Sequence, residues 1–264
     1  MAATTAFPNT PKASNHDNNT LSKVVKAKDT SFTVYYFDLH THGATPRAIL
    51  AYMDANWKLY SPVDWTNPSS PEKSEAIYGT LPLMYEHDPK TGATLEIAEA
   101  MNIELYLAQK FNLLGDNDAE AIQIRAAYSN SRALMHRQED TYFARKPHQA
   151  VERERFINEF LKQWIRTHEA VLAKNGSNGH YVGNRTSLAD IKTAVAIEQL
   201  LNELYRFQGS DYADLINPTA TPNLWKVREN VLSKDSYRQW RASEDFARLK
   251  AVTQTLFDAE REQL

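Results

Sequence analysis

The sequence predicts a mixed α/β unit followed by an all-helical one. Three features lead to that class. Short β-branched and aromatic runs alternate with helical patterns up to about residue 115. Beyond that point every long segment carries helical periodicity and the strand patterns stop. Between them, YGTLPLMYEHD (78–88) puts Pro82 into a run that otherwise reads as a strand. Proline gives no N–H to a sheet ladder, so it belongs at a strand end or edge.

Residues 1–30 are rich in Asn, Thr, Ser, Ala and Lys and read as a disordered tail. FTVYYF (32–37) is apolar on both faces, as a strand buried on both sides must be. A helix follows, with Thr45 as N-cap and Pro46 in the first helical position. KLYSPVDW (58–65) reads as a short strand near an edge, because of Pro62. Residues 66–77 are polar with weak helical character. The run around Leu83 and ATLEI (93–97) pair as a hairpin through HDPKTG, with Gly92 in the turn. The helix AEAMNIELYLAQKF completes a βαβαββα order in a domain spanning 31–115. The second domain, 116–264, carries helices over 118–143, 152–176, 187–207 and 222–233, then two more.

Composition excludes several functions. The chain has 264 residues, a net charge of −3 and no cysteine. Disulfides, thiolate metal sites and a cysteine nucleophile are therefore ruled out. The charge gives no reason to expect nucleic acid or an anionic membrane as partner. No apolar run has the length of a membrane span, and the N-terminus has no secretory pattern, so a cytoplasmic protein is expected.

Four stretches carry a family likeness: YFDLHTHGATPR (36–47), GTLPL (79–83), LEIAEAMNIELYL (95–107) and YVGNRTSLADI (181–191). On these residues the chain resembles the cytosolic glutathione transferases, most closely their sigma-like, tyrosine-using branch, over roughly residues 32–255. The resemblance implies a thioredoxin-like N-terminal domain in which a cis-proline, here Pro82, opens the third strand. It implies that the backbone of Leu81, beside Thr80, binds the cysteinyl part of glutathione as an added strand would. It places the γ-glutamyl end at the helix start after Glu99 and Ala100. Ser187 and Asp190 match the family's capping box in the helical domain.

The chemistry follows from the thiol. A thiol with a pKa near 8.5 is mostly protonated, and so a poor nucleophile, at neutral pH. A phenol O–H aimed at the sulfur stabilises the thiolate. The resemblance assigns that role to Tyr36, followed eleven positions on by Arg47. The residue-level alternative is that Tyr36 is core and Tyr35 faces the other way. By resemblance Trp65 and Lys73 belong to the glutathione site. The alternatives are a Trp65 wedge between sheet and loop and a solvated Lys73. His40 and His42 lie two apart with no carboxylate cluster to complete a metal site, so no metal is expected. His42 stands where the family has an arginine. Tyr128, Arg132 and His136 recur every four residues on one helix strip and are assigned, with His42, to the electrophile pocket, the alternative for the strip being a solvated face.

Two positions depart from the family. Ala100 replaces a Ser or Thr whose hydroxyl holds the γ-glutamyl carboxylate. Arg125, Ser129 and Asn130 stand where an aspartate is expected. The expected function is conjugation of glutathione to a hydrophobic, small-molecule electrophile by a homodimer. The alternatives are a glutathione-dependent isomerase or tailoring enzyme and a non-catalytic binding module.

Overall fold

A computed structural model describes residues 17–143, 146–203 and 212–263, and the chain divides into two units, residues 1–111 and 112–264. The first unit is the expected thioredoxin-like mixture. Its elements are α1 (Asn18–Lys26), β1 (Ser31–Tyr35), α2 (Ala44–Tyr52), β2 (Trp57–Tyr60), α3 (Pro71–Ser74), β3 (Leu83–His87), β4 (Thr94–Ala98) and α4 (Ala100–Lys110). The strands form one sheet in the order β2-β1-β3-β4, with β2 parallel to β1 and the other pairs antiparallel. β1 has a neighbour on each side, which explains its unbroken apolar run. β2 is an edge strand and ends before Pro62. Pro82 lies just ahead of β3, and the Leu81–Pro82 bond is cis.

Two expectations are corrected here. The tail is not disordered throughout: residues 18–26 form α1, capped by Asp17, whose carboxylate accepts from the Thr20 N–H at 2.8 Å. Residues 1–16 lie outside the described residues. At its other end Lys110 donates to the carbonyls of Val24, Val25 and Ala27 at 3.3, 3.2 and 2.8 Å. Those carbonyls lie at the end of α1, where helical donors run out and only Val24 still accepts a backbone N–H, from Ala27 at 3.1 Å; a cation there also opposes the helix dipole. The same ammonium pairs with Glu86, fully buried in β3, which also accepts from the Tyr106 phenol and from the Thr30 hydroxyl at 2.6 Å. One buried carboxylate thus fastens α1 and α4 to the sheet. The second correction concerns α2. It starts at Ala44 after Gly43, so Thr45 is not the cap and Pro46 is the third helical residue, still in the first turn where an N–H is dispensable.

The second unit is helical: α5 (Asp118–Phe143), α6 (Lys146–Arg155), a π-turn (Phe156–Leu161), α7 (Lys162–Lys174), α8 (Leu188–Glu198), a second π-turn (Gln199–Glu203), α9 (Tyr212–Leu215), α10 (Pro222–Leu232), α11 (Asp235–Arg241) and α12 (Glu244–Gln263). The segments expected as the single helices 152–176 and 187–207 are each interrupted by a π-turn, and residues 204–211 lie outside the described residues. Asp190 closes the capping box of α8, accepting the Ser187 N–H at 2.7 Å and the Tyr181 N–H at 2.9 Å. Glu169 of α7 caps α10 through the N–H groups of Asn223 and Leu224, at 3.3 and 2.8 Å. Glu198, 1% exposed, is shared by Arg228 at 2.5 Å and Arg241, tying α8 to α10 and α11.

Candidate active site

Strand register assembles the site. Tyr60, Tyr35, Leu83 and Ala98 lie in one line across the sheet. The segments that leave these residues therefore meet at one end of it: the 36–43 loop, the 61–65 loop, residues 80–82 and the start of α4. Tyr36 continues the ladder by one step, its N–H donating to the Tyr60 carbonyl at 3.0 Å.

Alternation sends Tyr35 and Tyr36 to opposite sides. Tyr35 enters an apolar cluster with Ala76, Leu83, Tyr85 and Ala98, against which Tyr60, Trp65 and Leu81 pack. Burial, reinforced by the nearby Glu72 carboxylate, pushes its phenol pKa far up. Tyr36 instead faces the loop that follows it. Its hydroxyl lies 2.6 Å from Thr41 Oγ1. The Arg47 guanidinium lies 5.6 Å from its ring centroid. Arg47 is 1% exposed and donates to the carbonyls of Leu39 at 2.7 Å and Phe37 at 2.9 Å. Charged, bidentate and buried, it fixes the loop that carries Thr41. Gly43 leaves room for the ring: a Cβ there would lie 2.6 Å from Tyr36 Cδ1 and 3.1 Å from Arg47 Cζ. Neither Thr41 nor Gly43 was singled out from the sequence. The spacing of Tyr36 to Arg47 marks the loop, but nothing in it tells which hydroxyl meets the phenol.

Glu99 precedes α4 with φ +70° and ψ 122°, a left-sided conformation costly for a residue other than glycine. Strain of this kind gathers at functional sites. The first intrahelical bond runs from the Ile103 N–H to the Glu99 carbonyl at 2.9 Å, so the N–H groups before it find no acceptor within the helix. Thr80 is exposed, with its hydroxyl 3.4 Å from a Glu99 oxygen. Ala100 is buried and brings no hydroxyl. The polar groups at this end of the sheet are thus the Glu99 carboxylate, the Thr80 hydroxyl and the start of α4. Trp65 meets Tyr35 and Phe37 edge-on at 6.2 Å each. Lys73 is half-buried in α3. Among the described residues no three His, Cys, Asp or Glu side chains gather as a metal site; His40 is buried and His42 half-buried.

In the second unit Tyr128 is buried and Arg132 half-buried, while His136 Nδ1 lies 3.4 Å from Glu139 Oε2. Burial pushes the Glu139 carboxyl up to about 7, although Lys192 and Arg132 pull it down. Arg125 is exposed on α5. Asn130 is also exposed on α5, and its Oδ1 lies 2.8 Å from His168 Nε2. Among the described residues no helix is long and apolar enough to cross a membrane.

Comparison with known proteins gives three kinds of match. The family profile described as "Glutathione S-transferase, C-terminal domain" matches residues 135–244. A glutathione S-transferase of Dirofilaria immitis is 30% identical over 121 residues, 45% of this chain and 53% of that protein, so the match spans about half of that relative. S-crystallin SL11 of Nototodarus sloanii is 23% identical over 176 residues, 66% of this chain and 82% of that one. Among solved structures, a sigma class enzyme of Fasciola hepatica superposes with a TM-score of 0.67 at 16% identity, covering 81% of this chain and 96% of that one. That likeness shows a shared fold.

Proposed function

The chain belongs to the cytosolic glutathione transferase superfamily, and from that premise we propose that it is a glutathione transferase of the sigma-like kind with Tyr36 as the thiolate-stabilising donor. The observation that carries this reading is the placement of Tyr36. Its phenol leaves the sheet at the end where Leu81, Glu99 and the start of α4 converge, held by Thr41 and Arg47 rather than by the apolar cluster that takes Tyr35.

Bound there, glutathione supplies the thiol that attacks an electrophilic carbon. The chain's own part is binding and proton control. Leu81 offers backbone groups to the peptide, and the first N–H groups of α4 face its γ-glutamyl carboxylate. Lys73 and Trp65 take the glycyl end. The phenol of Tyr36 donates to the sulfur and favours its ionised form; each unit of thiol pKa lowered corresponds to about 1.4 kcal/mol. Tyr128, Arg132 and His136 line the electrophile's side, and the functional protein is a homodimer. A cytoplasmic location would supply the reduced glutathione that this reading requires.

The test combines binding with turnover. The protein is expected to gain thermal stability with millimolar glutathione and to conjugate an activated aryl chloride. Tyr36→Phe should keep the binding and lose most of the turnover. Product analysis separates the related chemistry: a retained glutathionyl group means transfer, and glutathione recovered unchanged means isomerisation.

A second reading is favoured by one residue. Ala100 removes a hydrogen bond to a charged group, which is worth about 1.5–3 kcal/mol, or roughly tenfold to hundredfold in affinity. A chain that neither gains stability with glutathione nor is retained on glutathione resin would be a non-catalytic module on this fold.

A further inference from the structure

We propose that Thr41 is a positioning residue that turns the Tyr36 proton toward the sulfur; this rests on the reading of Tyr36 as thiolate donor. The two oxygens lie 2.6 Å apart, and both residues are buried, at 5% and 8% exposure. The loop holds Thr41 from both sides. Upstream, Arg47 grips the carbonyls of Phe37 and Leu39. Downstream, the Thr41 carbonyl accepts the Ala44 N–H at 2.9 Å, which starts α2. The hydroxyl position is thus fixed by backbone, while its proton remains a free rotor.

Proton counting decides the direction of this bond. A phenol has one proton and cannot give it to both Thr41 and a sulfur. A thiolate is charged and is the stronger acceptor. With the thiolate present, the Tyr36 proton goes to sulfur and Thr41 rotates to donate into the phenol oxygen. That bond does two things. It holds the O–H direction away from the loop, and it polarises the phenol, strengthening the bond it donates. Thr41 touches neither sulfur nor electrophile and acts only through Tyr36.

Thr41→Val keeps the shape and removes the hydroxyl; Thr41→Ser keeps the hydroxyl. The charged and titratable groups nearby are Arg47 over the ring and Asp38, His40 and His42 in the same loop. All four are unchanged in both variants, so any limb they contribute is common to them. The experiment is the pH profile of kcat/KM with glutathione and an activated aryl chloride, for wild type, both Thr41 variants and Tyr36→Phe. Thr41→Val should raise the acid-limb pKa by about half a unit to one unit, the value of one hydrogen bond. At pH values below that limb its kcat/KM should fall about three- to tenfold. KM for glutathione should change little, and Thr41→Ser should restore the wild-type profile. Thermal melts, with Thr41→Ala as a second hydroxyl-free variant, show whether each protein is folded. A wild-type profile in folded Thr41→Val and Thr41→Ala, beside a strongly impaired Tyr36→Phe, overturns the role of Thr41 alone. A Tyr36→Phe protein as active as wild type, or a wild type with no glutathione-dependent turnover, overturns the reading beneath it as well.

Discussion

Two buried phenols, Tyr36 in the first unit and Tyr181 in the second, are wired in opposite ways. Tyr36 meets a hydroxyl five residues away and a guanidinium eleven residues away, all within one loop and the helix it enters. Tyr181 belongs to a chain of groups drawn from four segments. His168 Nε2 faces Asn130 Oδ1 at 2.8 Å, so that nitrogen carries the proton and Nδ1 accepts from the Tyr181 phenol. Tyr181 then accepts from Thr193 at 3.3 Å, and Thr193 lies 2.7 Å from Ser131. Apart from the exposed Asn130, every member of that chain is buried and bonded to its neighbour, so it locks helices together. The local arrangement at Tyr36 needs only a rotation of Thr41 to present a proton. The contrast teaches that a buried hydroxyl is poised for chemistry when its partner can switch from accepting its proton to donating one, and structural when its partner is held as an acceptor.

The sharpest way to break this contrast is to remove each phenol oxygen. Tyr36→Phe should lower turnover on the order of a hundredfold and shift the melting temperature little. Tyr181→Phe should do the reverse. It strands His168 Nδ1, costs about 1–3 kcal/mol in denaturant melts, and leaves the turnover of the folded protein unchanged. Equal effects on activity from both would erase the distinction. Next, Gly43→Ala forces a methyl against the Tyr36 ring and the Arg47 head. We expect a stability loss of about 1–3 kcal/mol together with a fall in kcat/KM, since the ring must move. A variant that melts like wild type with full activity would show that the loop yields freely. Ala100→Ser restores a hydroxyl at the start of α4 and should tighten glutathione binding by roughly three- to tenfold in calorimetry.

The smallest effects are pH slopes in the second unit, and they have opposite signs. Burial pushes the His168 ring down to about 3, against about 6.5 in an unfolded chain. Between those values the unfolded chain binds more protons, so this group's contribution to stability falls as pH drops. Glu139, pushed up to about 7 from 4.5, binds its proton more tightly when folded, so its contribution falls as pH rises between those values. Between pH 4.5 and 6.5 the two nearly cancel. His168→Gln should leave the Glu139 slope exposed, and Glu139→Gln the His168 slope, each no steeper than about 1.4 kcal/mol per pH unit. Parallel pH–stability curves for the two variants would contradict these environments.

The same local-versus-distant division governs how much the sequence reveals. β1, the position of Pro82 ahead of β3, the bounds of α5 and the Ser187–Asp190 cap are legible because each rests on neighbours within a few residues. The Asp17 cap and the apolar residues Leu21 and Val24 also signal α1, but a polar composition hid them; the helix persists because Lys110 and Val24 anchor it from afar. A π-turn such as 156–161 changes the helical period by one residue and leaves no periodic mark. Thr41 carries no mark in the sequence for a different reason, since its role depends on where a loop bends back. The His168 network joins residues far apart in the chain, and nothing in their spacing announces it.

The central claim is that Tyr36 holds a glutathione sulfur as thiolate. The most direct measurement is the ultraviolet thiolate band of protein-bound glutathione, titrated from pH 5 to 9 in wild type and Tyr36→Phe. The wild type is expected to ionise the thiol at least one unit below its solution value, and the phenylalanine variant to return it close to that value. Identical titrations for the two proteins, or a wild-type thiol that ionises as it does in free solution, would contradict the account.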